Sequence, residues 1–376
     1  MSYECSSPDP ARSEHAFEPW DIPGSTQVRI VEDLQGLLEL EPAWNALSSP
    51  NGHPLRQFAW VRACAEAFED ETDLRVIVVE RGGKLRAVAP MVERRRPTER
   101  LELLGARELH APCQLLYSDT AALHSLAEAI AHTDIAVALD GFPSASPMLS
   151  VFEEAYQGRG WVRVLDIDPM PYIELDGSWA DPEARLDPGL CSDLRRVLHH
   201  AGAIGDVRME VVTPDSPEAL VRLLSELKGG TSPWTWSHAS RASKRGKFLR
   251  RYAAYAAARG ILRLVLLRIG ERPVALQLAI EAEGRYWVLH MCYDDQFARF
   301  LPSMLVTVHT IGYAAARGLR SYEFLGEPET WAKRFTDNQS GCKALRSYPL
   351  NGPGYTALCA DVAQSTVAKP RGVRWS

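Results

Sequence analysis

The sequence predicts an α+β fold built as two successive lobes, and three observations carry that prediction. The chain has 376 residues, more than one typical core requires. Apolar stretches of strand length are joined by tight Gly-containing turns in both halves, as in Arg81-Gly82-Gly83 and at Gly284, which marks antiparallel hairpins. The same order of elements then recurs on either side of a proline-rich and acidic stretch from Pro169 to Pro188. Each half reads as two helices, a meander of antiparallel strands, a helix, a strand, a short helix and a final strand. No sequence repeat of fixed period accompanies this, so the repeat is one of architecture.

Residues 1–27, rich in Pro, Ser and acidic side chains, read as a disordered tail. The first lobe spans 28–170. Val28–Val31 is a short strand, and Leu34–Leu47 is a helix with Leu34, Leu37, Leu38 and Trp44 on one side. After the turn-rich Ser48–Pro54 comes a helix at Phe58–Phe68, then a hairpin of Leu74–Glu80 and Leu85–Val92. Short strands at Leu101–Leu104 and Gln114–Tyr117, helices at Ala121–Ala131 and Met148–Tyr156, and strands at Ile135–Leu139 and Trp161–Ile167 complete it. The second lobe spans 171–352. Helices are expected at Leu190–His200, Pro217–Leu227, Phe248–Ala258 and Met304–Ala316, the last opened by Pro302 and closed by Gly318. Strands are expected at Val207–Val212, Leu262–Ile269, Val274–Glu281, Tyr286–Tyr293, Ser321–Leu325 and Lys343–Leu350, with a short helix at Trp331–Phe335. Residues 353–376 read as a second tail.

Composition excludes several classes. With 46% apolar and 24% charged residues the chain is an ordinary globular protein. Its net charge of -6 gives no overall pull toward nucleic acid or an anionic membrane, so any basic site must be local. No run of eighteen apolar residues exists, and the N-terminus lacks the order of a signal peptide. The seven cysteines are odd in number, widely spaced and without a CxxC pair, which points to reduced thiols in a cytoplasmic protein. There is no HExxH, Walker loop, dinucleotide-binding glycine pattern or nucleophile elbow, and no metal is expected.

The stretch Pro171-Tyr172-Ile173-Glu174-Leu175-Asp176-Gly177-Ser178-Trp179, with the helix Leu190–His200 and Gly202, resembles the start of the C-terminal lobe of the CelD-like acetyltransferases of the GNAT superfamily. These are relatives of the FemAB peptidyltransferases. Tyr293-Asp294-Asp295-Gln296-Phe297-Ala298-Arg299-Phe300-Leu301-Pro302-Ser303 resembles the segment leading into that family's donor-binding helix. Gly318 to Leu325 resembles its late strand, and Glu329-Thr330-Trp331-Ala332-Lys333-Arg334-Phe335-Thr336 its late short helix. Phe58–Phe68 and Val88-Ala89-Pro90 fit the first lobe, so the resemblance covers roughly 28–350. Three positions depart from the family: Ser303 stands for a glycine, Glu323 for an aspartate and Ala332 for a lysine.

The resemblance implies two tandem GNAT-like lobes and an enzyme that transfers acyl groups. Acyl-CoA is the expected donor, and charged tRNA or a carrier protein is the alternative. The acceptor is expected to be an amine on a small metabolite in a biosynthetic setting. A lobe pair that binds a ligand without turnover is the reading from another class. The oligomeric state stays open.

Acyl transfer to an amine needs the donor held, its carbonyl polarised and the amine deprotonated. In the fold that the resemblance implies, the donor pyrophosphate meets the N-terminus of the helix near Pro302, so Arg299, Ser303 and Met304 are the candidate donor contacts. His290, on the preceding strand, is either a base or a hydrogen-bonded core residue. Glu323, between Tyr322 and Phe324, either pairs with an arginine or works as a base. Tyr293 is the candidate proton donor to the leaving thiolate. Trp234, Trp236 and His238, beside the basic run Arg241, Lys244, Arg245, Lys247, Arg250 and Arg251, are candidate substrate contacts, together with Glu329, Trp331 and Lys333. Cys292 has no partner base in the sequence and reads as an ordinary buried thiol.

Overall fold

The computed structural model describes residues 21–22, 26–49, 52–68, 73–226, 243–325, 332–336, 338–367 and 373–375. The first half contains β1 (Asp21–Ile22), β2 (Thr26–Val31), α1 (Leu34–Glu39), α2 (Glu41–Leu47), α3 (Phe58–Phe68), β3 (Asp73–Arg81), β4 (Lys84–Arg94) and β5 (Arg100–Leu103). It continues with α4 (Ala106–Leu109), β6 (Leu116–Tyr117), α5 (Thr120–Ala131), β7 (Val137–Pro143), α6 (Met148–Ala155) and β8 (Gly160–Glu174). The second half begins with α7 (Pro188–Gly202), β9 (Val207–Val212), α8 (Pro217–Glu226), α9 (Lys244–Ala258), β10 (Leu262–Ile269) and β11 (Arg272–Ala282). It ends with β12 (Arg285–Tyr293), α10 (Pro302–Ala316), β13 (Ser321–Phe324), β14 (Gln339–Pro349), α11 (Gly352–Val367) and β15 (Val373–Trp375).

Local chemistry sets these elements. The β3–β4 turn places Gly82 and Gly83 at φ +58° and +67°, and the β11–β12 turn places Glu283 and Gly284 at +56° and +68°. Paired positive φ values give the turn whose twist matches that of the strands, and glycine adopts them without cost. The helix expected at Leu34–Leu47 is two helices. Pro42 has no N–H to donate into a continuous helix and sits instead in the first turn of α2.

The strands form one continuous path, β1-β2-β3-β4-β5-β7-β14-β8-β13-β12-β11-β10-β9, with β6 and β15 paired to its sides. Two features redraw the lobes. First, β8 crosses the expected boundary at 170: Gly160–Pro171 pairs with β14, and Tyr172–Glu174 pairs with β13. Second, β14, expected to end the second lobe, lies between β7 and β8 in the first lobe's sheet. Ala344, Leu345, Ser347 and Tyr348 are all buried, as a strand covered on both faces requires. The segment expected as a C-terminal tail is the helix α11 and the strand β15. Asp361 anchors α11 by accepting two hydrogen bonds from Arg100 (2.7 and 2.9 Å) and one from the Tyr348 hydroxyl (2.7 Å). At the other end, Asp21–Ile22 and Thr26–Val31 are paired strands, which takes residues from the expected N-terminal tail into the sheet.

Three main apolar cores result. α5 and α6 cover the outer face of the first lobe's sheet. α7 and α10 cover the outer face of the second. The third core lies between the lobes, where α3 packs on α9 and the inner faces of both sheets meet. There the Trp60 ring meets Phe248 at 4.8 Å and Tyr252 at 5.0 Å in edge-on geometry, and Arg251 reaches Glu66 at 3.2 Å. Cys64, Cys113, Cys191, Cys292 and Cys342 are buried free thiols, and Cys359 is an exposed one.

Candidate active site

Only two neighbouring pairs in this path are parallel, β5 with β7 and β12 with β13. Each marks a place where the sheet opens. β12 and β13 are in register from Arg285–Ser321 to Val288–Phe324, where β13 ends while β12 runs on to Tyr293. At the same point β12 is bulged against β11: Val288 faces Ala279 and His290 faces Leu278, so Leu289 has no opposite number. A bulge shifts side chains from one face to the other.

That shift decides where the candidate catalytic residues point. Opposed residues share a face, and Leu278 belongs to the interlobe core, so His290 faces the space between the lobes. Tyr293 lies opposite Ala275, whose side chain joins the outer core under α10, so Tyr293 is on the other face. Burial, aided by the charge of Arg245, holds the His290 imidazole down at about 4, so it is neutral at physiological pH. Glu323 is in register with Trp287 and shares the interlobe face with His290. Its carboxylate is paired with an arginine. Arg285 Nη1 donates to its carboxylate at 2.5 Å and the Ser321 hydroxyl donates at 2.6 Å. Tyr322, its neighbour, faces outward into a buried network with Gln277, Thr310 and Tyr286 that locks β13 to α10 and β11. Burial pushes the Cys292 thiol up to about 12, which leaves it protonated and without nucleophilic character.

The helix that follows the opening, α10, starts without a side-chain cap. Its N-cap is Leu301, held at φ +48° by the tight turn from the 3-10 helix Asp295–Phe300. Ser303 and Met304 stand in its first turn, and the exposed Arg299 guanidinium lies 4.7 Å over the Phe300 ring beside His200 in a cavity of about 360 Å³. The equivalent helix of the first lobe, α5, is closed differently: Asp119 fills its N-terminus, accepting from the Ala122 N–H at 2.8 Å. A carboxylate there repels any second anion, whereas at α10 no acidic side chain fills the helix start and the Ser303 N–H is left to face a phosphate, the Met304 N–H being bonded to the Leu301 carbonyl at 3.0 Å. Arg334 reaches the Met304 sulfur at 3.7 Å, and Phe335 stacks on Phe324 at 6.4 Å, which places residues 332–336 beside the same opening. Trp234, Trp236, His238, Glu329 and Trp331 lie outside the described residues, as does the side chain of Lys333.

Of the basic run, Lys244, Arg245, Lys247, Arg250 and Arg251 lie on α9, which starts earlier than the expected Phe248, and Arg241 lies outside the described residues. Ser243 caps that helix, accepting from Gly246 N–H at 3.1 Å. The sequence reading missed four residues at the lobe junction. His53, in the segment read as a plain turn, meets Trp287 edge-on at 4.8 Å. Arg285 lies 5.9 Å over the same indole. Burial, then the charges of Arg56 and Arg285, press the His53 ring down to about 3. No spacing signal links residues so far apart in sequence. Among the described residues no group of three or more His, Cys, Asp or Glu is arranged to hold a metal, and no described helix is long and apolar enough to cross a membrane.

Residues 191–333 match the family model described as acetyltransferase (GNAT) domain. No curated protein sequence matches the chain. Among solved structures, the C-terminal domain (DUF2156) of an Agrobacterium fabrum protein described as a lysylphosphatidylglycerol synthetase superposes with a TM-score of 0.52 at 13% identity, covering 88% of this chain and 97% of that one. FemX matches with a TM-score of 0.48 at 16% identity over 86% of this chain and 98% of that one. A tandem GNAT protein from the clavulanic acid biosynthesis pathway matches with 0.45 at 14% identity over 87% and 99%. The chain is a two-lobed protein of GNAT fold whose residues 191–333, in the second lobe, match the acetyltransferase (GNAT) domain model.

Proposed function

We propose that the protein is an N-acyltransferase that moves an acyl group from acyl-CoA to an amine on a small metabolite by direct attack in the second lobe. The observation that carries this is the coincidence, at one place, of the β12–β13 opening, the Leu289 bulge and the uncapped start of α10. An extended pantetheine fits between parting strands as an additional strand-like partner, and its pyrophosphate fits the Ser303 N–H and hydroxyl at the start of α10, beside Met304, with Arg299 nearby. The first lobe lacks the last of these features, because Asp119 occupies the matching helix end.

On this reading His290 is the proton acceptor. It faces the interlobe space with a neutral ring, and it takes the proton of the attacking amine, directly or through a water, once negative charge on the bound substrates offsets the burial and the Arg245 charge that hold it at about 4. Glu323 then holds Arg285 in place, and Tyr293, on the α10 side, serves the leaving thiolate. Arg251 pairs with Glu66 and Arg245 neighbours His290, so part of the basic run of α9 already has partners within the protein. This favours acyl-CoA over charged tRNA or a carrier protein as donor.

The test is His290→Gln, which keeps polarity and volume but cannot take up a proton. It should lower kcat by roughly 10²–10⁴ while leaving the acetyl-CoA-induced rise in Tm intact. An unchanged kcat would remove the assignment.

A further inference from the structure

We propose that the acceptor carries an oxyanion, a carboxylate or a phosphate, and that Arg56 from the first lobe and Arg285 from the second bind it together at the lobe junction. The inference rests on the acyltransferase reading for the word acceptor, but the anion site itself rests on geometry alone.

His53 and Arg56 flank one short 3-10 helix, Pro54–Arg56, so a single rigid turn presents both. That turn is fixed from behind: the Trp44 indole N–H donates to the Arg56 carbonyl at 2.8 Å, and Arg56 Nε donates to Gln114 Oε1 at 3.0 Å. Gln114 is neutral, and among the described residues no carboxylate pairs with Arg56. The facing wall is β12. His53 touches Trp287, and Arg285 lies over the same indole with its side chain 36% exposed. Arg285 gives one nitrogen to Glu323, and its Nε is buried without a hydrogen-bond partner. The junction therefore brings two guanidinium groups, both near enough to His53 for their charges to act on it, together with the Glu323 carboxylate.

Such an excess of positive charge, half-buried, is unfavourable unless an anion completes it, and planar guanidinium forks suit carboxylate and phosphate oxygens. His53 fits the same logic. Its Nδ1 accepts from the Leu55 N–H at 3.3 Å, which leaves the proton of the neutral ring on Nε2 as one more donor. Burial keeps this ring neutral, and the two cations that add to that effect are those an anion would offset. His290 and Glu323 lie on the same face of β12 and β13, so an acceptor held here by its anion presents its amine on the face where His290 stands.

The test uses the full chain with ¹³C-labelled histidine, the His53 resonance being assigned by His53→Gln. β-Alanine and 2-aminoethyl phosphate are titrated in, with ethanolamine as the probe that lacks an oxyanion. The two anionic probes, or one of them, should move the His53 resonance saturably, ethanolamine should not, and Arg56→Met should weaken the response at least tenfold. Arg56→Lys, which keeps the charge but loses the fork, should fall between. The tighter of the two anions identifies carboxylate or phosphate as the natural group. No saturable shift with either anion, an equal shift with ethanolamine, or an unchanged response in a folded Arg56→Met chain overturns the proposal. The acetyl-CoA-induced rise in Tm is followed in the same samples. A His53 response without that rise keeps the anion site and removes the acyl-CoA reading; the reverse removes only the anion site.

Discussion

At the scale of single residues, the junction is dominated by two histidines held uncharged. His53 and His290 sit at about 3 and 4, each below the ordinary 6.5, and burial is the larger cause for both. Above pH 6.5 neither ring is charged in the folded or the unfolded chain. As pH falls below that value the unfolded chain takes up two protons that the folded chain refuses until about pH 3–4. Stability from these groups is therefore complete above pH 6.5 and is lost as pH drops, by up to about 1.4 kcal/mol per pH unit for each ring. Urea unfolding at pH 7, 6 and 5 should show this slope, and His53→Gln or His290→Gln should each flatten it by about one proton. A slope unchanged by both substitutions would mean that neither ring is held neutral. His290 was legible in the sequence as a strand histidine, and Glu323 as a carboxylate in need of a partner. The identity of that partner, Arg285, was not, because a pair across two parallel strands leaves no local pattern.

At the scale of elements, the helices between the lobes carry most of the cooperativity. α3 and α9 face each other through Trp60, Phe248 and Tyr252, with Phe68 stacked on Phe248 at 6.4 Å. Trp60 is 6% exposed, so Trp60→Ala leaves a cavity that the surrounding rings cannot fill and should cost about 3–5 kcal/mol. Near-UV and far-UV signals should shift together to lower urea, since one core serves both sheets; separate transitions for the two signals would show that the lobes fold independently. Apolar periodicity made these helices and nearly every hairpin legible, and strand ends such as Val207–Val212 and Leu262–Ile269 agree with the structure to the residue. The β12 bulge was not legible. Leu289 lies in the interlobe core, and strand alternation alone would place His290 on the opposite face; the bulge against β11 returns His290 to the interlobe side.

At the scale of the whole molecule, the chain is two lobes by resemblance and one sheet by construction. The sequence places a boundary at a proline-rich stretch, yet β8 runs through it and β14 returns to complete the first lobe's sheet. Composition and order cannot show such an exchange, because a central strand reads alike in either sheet. The exchange ties the first lobe to the last part of the chain, and on the proposed function the asymmetry between Asp119 at α5 and Leu301 at α10 assigns donor binding to the second lobe. Hydrogen exchange of the full chain with and without acetyl-CoA tests that assignment most directly. The account predicts slowed exchange at Leu289–Tyr293 and at the first turn of α10, with no change at α5 or around β5 and β7. Protection confined to the first lobe, or none anywhere at saturating acetyl-CoA, would contradict it.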